Sequence, residues 1–236
     1  MKLLVDLHTH TVASGHAYCT VNELVEKANL LSLEAIAITD HGPGLPDGPH
    51  FFHFLNQERF KTIPGNCTVL SGVEEDLAGP NGEIYLPEDI VNSLEVVLIG
   101  LHPYPDGWAN TNSKELVLNS LLKAMENPVI KGVTHPVSNW FNFSTGEMKE
   151  IIINAKDTNT AVELNLSKII GLENKLYEFL DLTAEFNAPL MINSDAHAVH
   201  ELGDFSNLDR FTDKIISENV VNKNYETVKS FFDIKR

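Results

Sequence analysis

The sequence predicts an α/β chain in which strands and helices alternate from one end to the other, and three observations carry that reading. Short apolar runs of strand length recur seven times, with stretches of helical character between them. Most of these runs are apolar throughout, as strands buried on both faces of a parallel sheet are. Six of the seven end in a histidine or a carboxylate. A closed barrel and an open doubly wound sheet share the same periodicity. In an open sheet ligands gather at a switch point, whereas in a barrel every carboxyl end surrounds one mouth. The ring of polar strand ends favours the barrel.

The first run, Leu3-Leu4-Val5, leads into Asp6-Leu7-His8-Thr9-His10, where a spacing of two on extended chain points both imidazoles to one side. Thr20-Val21-Asn22-Glu23 is a capping box opening an amphipathic helix through about Leu31. Ala35 to Thr39 reads as strand two, ending in Asp40-His41. The Gly/Pro-rich stretch from Gly42 to Pro49 is a loop, and a helix is expected from about His50 to Lys61. Strand three, Thr68 to Val73, ends in Glu74, and Asn81-Gly82 marks a tight turn in the insertion that follows. Val96 to Ile99 is strand four, ending in His102, before a helix from about Ser113 to Met125. Strand five, Val129 to Thr134, ends in His135 and precedes a helix from about Thr145 to Ala155. Ala161 to Leu164 and a helix from about Glu173 to Phe186 come next. Pro189 to Ile192 is strand seven, ending in Asp195-Ala196-His197. A helical stretch around Leu208 to Ser217, an extended Val220-Val221 and a closing helix from Tyr225 to Phe232 complete the chain. With no linker, low-complexity segment or repeat, residues 1–236 are expected to form a single domain.

A formal charge of −16 with only three arginines, Arg59, Arg210 and Arg236, disfavours a nucleic-acid partner, because phosphate backbones need cations. No apolar stretch is long enough to span a bilayer, and the start turns acidic too early for a signal peptide. Two cysteines, Cys19 and Cys67, fit a reducing compartment, so a cytoplasmic location is expected. Taken singly, a histidine after a strand is usually an ordinary loop residue. Seven histidines and two carboxylates at equivalent positions are a different matter, and together they point to a metal site.

Asp6-Leu7-His8-Thr9-His10, Ile38-Thr39-Asp40-His41-Gly42, Gly72-Val73-Glu74, Gly100-Leu101-His102, Thr134-His135-Pro136 and Asn193-Ser194-Asp195-Ala196-His197 occur in this order. The set resembles the PHP superfamily (polymerase and histidinol phosphatase) over essentially the whole chain. With His16-Ala17-Tyr18, Asp40-His41-Gly42-Pro43 and Pro49-His50, it looks most like the small YcdX-type bacterial phosphatases. The resemblance implies a distorted (β/α)7 barrel, its metal site at the carboxyl-terminal end of the strands. It also implies three divalent ions, commonly zinc, with manganese or iron as alternatives. Residue by residue, His8, His10, Glu74 and Asp195 would hold the first ion. Glu74 as a bridge, with His102 and His135, would hold the second, and His16, His41 and His197 the third.

Asp6 and Asp40 are expected to accept the remaining ring N–H of ligand histidines. His50, His53, Asn165 and Lys168 are candidates for lining the substrate pocket. The implied activity is hydrolysis of a small phosphate monoester by metal-bound hydroxide without a phosphoenzyme, with Glu74, Asp195 and His197 central to catalysis. A nuclease-like action on DNA ends and a noncatalytic metal-binding module are the alternatives. An amidohydrolase-type barrel also opens with a His-x-His strand, but usually carries a carboxylated lysine or its substitute after strand four, where His102 stands here.

Overall fold

Seven strands lie side by side in sequence order, all parallel: β1 (Val5–Asp6), β2 (Ala35–Ile38), β3 (Thr68–Asp76), β4 (Val96–Gly100), β5 (Gly132–Val133), β6 (Ala161–Asn165) and β7 (Leu190–Asn193). The computed structural model describes residues 1–102 and 104–235; Arg236 lies outside them. The helices are α1 (Val21–Leu31), α2 (Phe52–Leu55), α3 (Glu88–Val91), α4 (Trp108–Thr111), α5 (Lys114–Met125), α6 (Thr145–Thr158), α7 (Glu173–Phe186) and α8 (Tyr225–Phe232). Among the described residues no helix is long and apolar enough to cross a membrane.

The sheet closes on itself. The ends of β1 and β7 meet in a parallel bridge between Thr9 and Ala196, where the His10 N–H donates to the Ala196 carbonyl at 2.8 Å. Toward the amino ends, Val220 to Lys223 fills the seam: the Val221 N–H donates to Leu190, and the Leu4 N–H to Lys223. The result is a distorted (β/α)7 barrel. One buried cluster joins Val5, Ala35, Leu70, Leu98, Ala161 and Met191, from strands all round the ring, which only the barrel interior can do. Gly132 supplies β5's share by lacking a side chain, since a Cβ there would lie 2.6 Å from Leu98 and 2.8 Å from Met191. Val228 and Phe232 of α8 join the same cluster and close the amino-terminal end. A second cluster packs α5, α6 and α7 against the outer face, and a third packs α1.

The distortion is concentrated in β3. It pairs with β2 through Thr68–Ser71 and with β4 through Gly72–Asp76. At the change of partner, the Gln57 side chain donates to the Gly72 carbonyl and accepts its N–H, at 2.9 and 2.7 Å. Gln57 is thereby drawn into the sheet edge. The expected helix from His50 to Lys61 is instead one α turn, α2, followed by a 3-10 stretch, Gln57–Thr62. The expected helical stretch from Leu208 to Ser217 is likewise two short 3-10 turns, Ser206–Arg210 and Ser217–Asn219, which an apolar spacing of three satisfies equally well. The Asn81-Gly82 turn is present, with Gly82 at φ 80° and an antiparallel bridge between Leu77 and Ile84.

Candidate metal centre

All carboxyl ends of the strands open on one mouth, and Glu74 stands at its centre. Glu74 is fully buried, and four imidazole nitrogens lie 3.1–3.5 Å from its Oε2: His8 Nε2, His10 Nε2, His41 Nδ1 and His102 Nε2. Its Oε1 faces His135 Nε2 at 3.0 Å. Asp195 Oδ1 stands 3.4 Å from His8 Nε2, 3.3 Å from His10 Nε2 and 3.5 Å from His197 Nδ1. His16 Nε2 completes the group, 3.0 Å from His197 Nε2 and 3.4 Å from His41 Nε2. All nine residues singled out as ligands in the sequence therefore converge. Gly100 makes room for them, since a Cβ there would lie 2.6 Å from the His102 ring and 2.8 Å from Glu74 Oε1.

Hydrogen bonding orients the rings before any ion is considered. A carboxylate can only accept, so a ring nitrogen hydrogen-bonded to one carries a proton, and the opposite nitrogen is the one that can ligate a cation when the ring is neutral. His8 Nδ1 donates to Glu163 Oε1 at 2.8 Å, His102 Nδ1 to Asp76 at 3.0 Å, and His16 Nδ1 to Asp47 at 2.6 Å. His197 Nδ1 donates to the Asp195 carbonyl at 2.9 Å. Ser14 Oγ donates to Asp40 Oδ1 and therefore accepts from His10 Nδ1, at 3.2 Å. In each of these five the Nε2 is left facing the cluster. His41 is turned the other way, its Nδ1 toward Glu74 and its Nε2 toward His16.

His8 Nε2, His10 Nε2, His41 Nδ1 and Glu74 Oε2 are buried without a hydrogen-bond partner, although charged and polar neighbours stand close by. Leaving such atoms unpaired is costly, and a cation between them removes the penalty. Donors 2.0–2.2 Å from one zinc ion at tetrahedral corners stand about 3.3–3.6 Å apart. The His8–Glu74, His10–Glu74, His8–Asp195 and His10–Asp195 separations are 3.2, 3.5, 3.4 and 3.3 Å. The donor set fits a divalent cation.

Without an ion, the carboxylates and imidazoles of the centre compensate one another. Burial alone would raise the pKa of Glu74 and of Asp195, yet His8 and other cationic neighbours hold both well below the ordinary carboxylate range. Burial pulls His8 down, but Glu74, Glu163 and Asp195 together lift it well above the usual imidazole value. Burial and the neighbouring His41 keep His10 well below it. Two residues of the centre, His135 and Asp195, sit at positive φ, 30° and 52°, a strained backbone that the surrounding contacts hold in place.

Other expectations are revised. Asp6 accepts from the Ser194 hydroxyl at 2.5 Å and the Gly203 N–H at 3.0 Å, tying β1 to the segment after β7, and hydrogen-bonds to none of the described imidazoles of the centre. Asp40 acts one step removed: besides Ser14 it accepts from Thr11 and from His53 Nε2 at 3.0 Å. His53 therefore serves Asp40, while His50 is exposed beside the Phe51 and Phe52 rings, and neither joins the cluster. Asn165 and Lys168 do reach the centre, both donating to Asp195 Oδ2. Cys19 is buried, its Sγ donating to the His10 carbonyl, and burial pushes its thiol up to about 11. Glu163, Asp76 and Asp47 were not singled out in the sequence. The available signal for Glu163 was a carboxylate inside an otherwise apolar strand, which burial permits only with partners.

A family model for the PHP domain matches residues 6–227. The chain belongs to the PHP family. This PHP chain is 31% identical over 222 residues to a protein of Clostridium novyi named a probable phosphatase, covering 91% of this chain and 87% of the relative. It is 33% identical over 242 residues to a protein of the same name from Syntrophotalea carbinolica, covering 98% and 96%. Among solved structures, a histidinol phosphate phosphatase of Lactococcus lactis in complex with zinc, L-histidinol and phosphate is similar, with a TM-score of 0.60. That match covers 91% of this chain and 93% of the other at 16% identity, a likeness of fold.

Proposed function

We propose that this PHP protein is a metal-dependent phosphatase that hydrolyses a small phosphate monoester at a centre of three divalent ions, with zinc best suited to the donors. The observation that carries the reading is the cluster of His8, His10, Glu74 and Asp195, in which each imidazole Nε2 stands 3.2–3.5 Å from both carboxylates and three of the atoms are buried and unpartnered. The relatives named probable phosphatases, and a structural neighbour holding zinc, histidinol and phosphate, support the reaction class. In this reading those four residues hold one ion, Glu74 with His102 and His135 a second, and His16, His41 and His197 a third. Bound there, the ions supply Lewis acidity, lowering the pKa of water and neutralising the nonbridging phosphate oxygens.

The chain's own part is preorganisation. The Nδ1 anchors hold the imidazoles in place before substrate arrives, so little reorganisation accompanies the developing charge. Asn165 and Lys168 grip Asp195 Oδ2 and leave Oδ1 facing His8 and His10. Lys168 is then the cation placed to meet a phosphate oxygen. Elemental analysis paired with a panel of phosphate monoesters and short DNA ends tests the proposal. About three ions per chain and monoester turnover are expected, with Glu74→Ala losing both metal and activity. Full turnover by Glu74→Ala, or cleavage of DNA ends without monoester turnover, contradicts it.

A further inference from the structure

The residues assigned to the three ions differ in charge and in depth. His8, His10, Glu74 and Asp195 are buried and bring two carboxylates, and Glu74 serves His102 and His135 as well. His16, His41 and His197 bring imidazoles alone. They also rise toward solvent: the His41 side chain is 3% exposed, that of His197 24% and that of His16 47%. The partner of His16 is equally superficial. Its Nδ1 donates to Asp47 Oδ2 at 2.6 Å, and the Asp47 side chain is 39% exposed, whereas the carboxylates behind His8 and His102 are buried.

Asp47 is nevertheless held in a defined place. The loop after β2 folds back on itself, the Leu45 N–H donating to the Gly42 carbonyl at 3.2 Å and the Gly48 N–H to the Leu45 carbonyl at 3.0 Å. A Cβ on Gly15 would lie 2.6 Å from the Asp47 Cβ, so Asp47 approaches the backbone beside His16 as closely as a missing side chain allows. On its far side the loop lies against the Tyr85 ring, at Gly44, where any Cβ would collide. Tyr85 is itself anchored, its N–H donating to Glu75 at 3.3 Å. The insertion after β3 therefore backs the loop after β2, and that loop backs His16.

This arrangement matters for one ion only. A carboxylate behind a ligating imidazole fixes the ring and raises its basicity, which counts most where the ligands themselves carry no negative charge. Resting on the three-ion reading, we infer that Asp47 is a positioning residue for the outermost ion. It holds the His16 ring with Nε2 toward His41 and His197, and so decides how firmly that ion is kept. The two deeper ions do not depend on it, and the outermost ion is the first to leave.

Chelator competition on the zinc-loaded chain, followed by elemental analysis, reads the ions retained. Wild type is expected to release one ion before the other two. In Asp47→Ala that ion is held about 10–100-fold more weakly, while the other two are released as in wild type. Asp47→Asn, whose amide oxygen can still accept from Nδ1, recovers part of the loss. His16→Ala loses the same ion, and adding Asp47→Ala to it removes nothing more, because Asp47 acts through His16. An affinity in Asp47→Ala within about twofold of wild type, weakening of all three ions alike, or a further loss in the double variant overturns the inference. None of those results touches the phosphatase reading. A wild-type chain that holds three ions and turns over no monoester defeats that reading alone, and one that holds no ion overturns both.

Discussion

Glu163 shows how much of the centre depends on side chains that face away from it. Its Oε1 accepts from His8 Nδ1 and from Asn193 Nδ2, both at 2.8 Å, and its Oε2 accepts from the His135 N–H at 2.8 Å. One buried carboxylate thus orients the His8 ring just after β1 and holds the strained backbone of His135 after β5. In Glu163→Gln, one of these donors would face an amide N–H instead of an oxygen. Metal affinity measured by chelator competition is expected to fall about 10–100-fold, with activity restored by excess metal. Unchanged affinity would mean that His8 is oriented by something else. Histidines His8, His10, His41, His102, His135 and His197 were legible because a ligand side chain recurs after six of the seven strands. Glu163 was not, because a residue inside a strand breaks that pattern. Glu74, Glu75 and Asp76 are all buried, since β3 runs on past the expected strand end to Asp76. Alternation along the strand then explains their roles. Glu74 and Asp76 serve the centre, while Glu75 turns to the Tyr85 and Leu86 N–H groups of the insertion, where burial pushes its pKa up to about 7.

Helix starts were the most legible elements, because a capping box is chemistry within four residues. The box opening α1 is present as read, with Thr20 and Glu23 each accepting the other's backbone N–H. That of α6, Ser144 and Glu147, has the same geometry, and Glu147 also pairs with Lys114 of α5 at 2.7 Å. The Lys114 ammonium, then Ser144, hold the Glu147 carboxyl at about 2. A carboxylate with a lowered folded-state pKa contributes its full stability above the ordinary value of about 4.3, and loses it as pH falls from there through the folded value. Glu147→Gln is therefore expected to cost about 0.5–1 kcal/mol at pH 7, the ion pair being partly screened by solvent. Urea denaturation at pH 7 and again near pH 3 should show the gap to wild type narrowing in acid; a gap that widens would refute the assignment. The segments from His50 to Lys61 and from Leu208 to Ser217 were misread for the opposite reason. What shapes the first is a distant contact, Gln57 to Gly72, which local spacing cannot announce.

At the scale of the whole molecule, closure of the barrel was inferred from where the polar residues fell, because strand periodicity is the same in an open sheet. Two asparagines add side-chain bonds to the backbone bridge and the Asp6 contacts that close the barrel. Asn193 Oδ1 accepts the Leu7 N–H at 2.9 Å across the seam. Asn222, fully buried, donates to the carbonyls of Val5 at 3.0 Å and Ile192 at 2.7 Å, and accepts the Ile192 N–H at 3.0 Å. It stands in for a missing run of sheet hydrogen bonds between β1 and β7, and nothing in an isolated asparagine near the end of the chain signals that role. Asn222→Ala would leave three buried backbone groups unpaired, at a cost of about 2–4 kcal/mol. For a chain of this length that corresponds to a fall in Tm of about 5–15 °C. Asn222 also donates to Asn193 Oδ1 at 3.1 Å, and Asn193 donates to the Glu163 carboxylate that orients His8, so metal affinity is expected to weaken along with stability. Thermal melts with and without chelator, alongside elemental analysis at 4 °C, separate the two effects. A Tm within about 1 °C of wild type would show that Val220 to Lys223 holds the seam by its backbone alone.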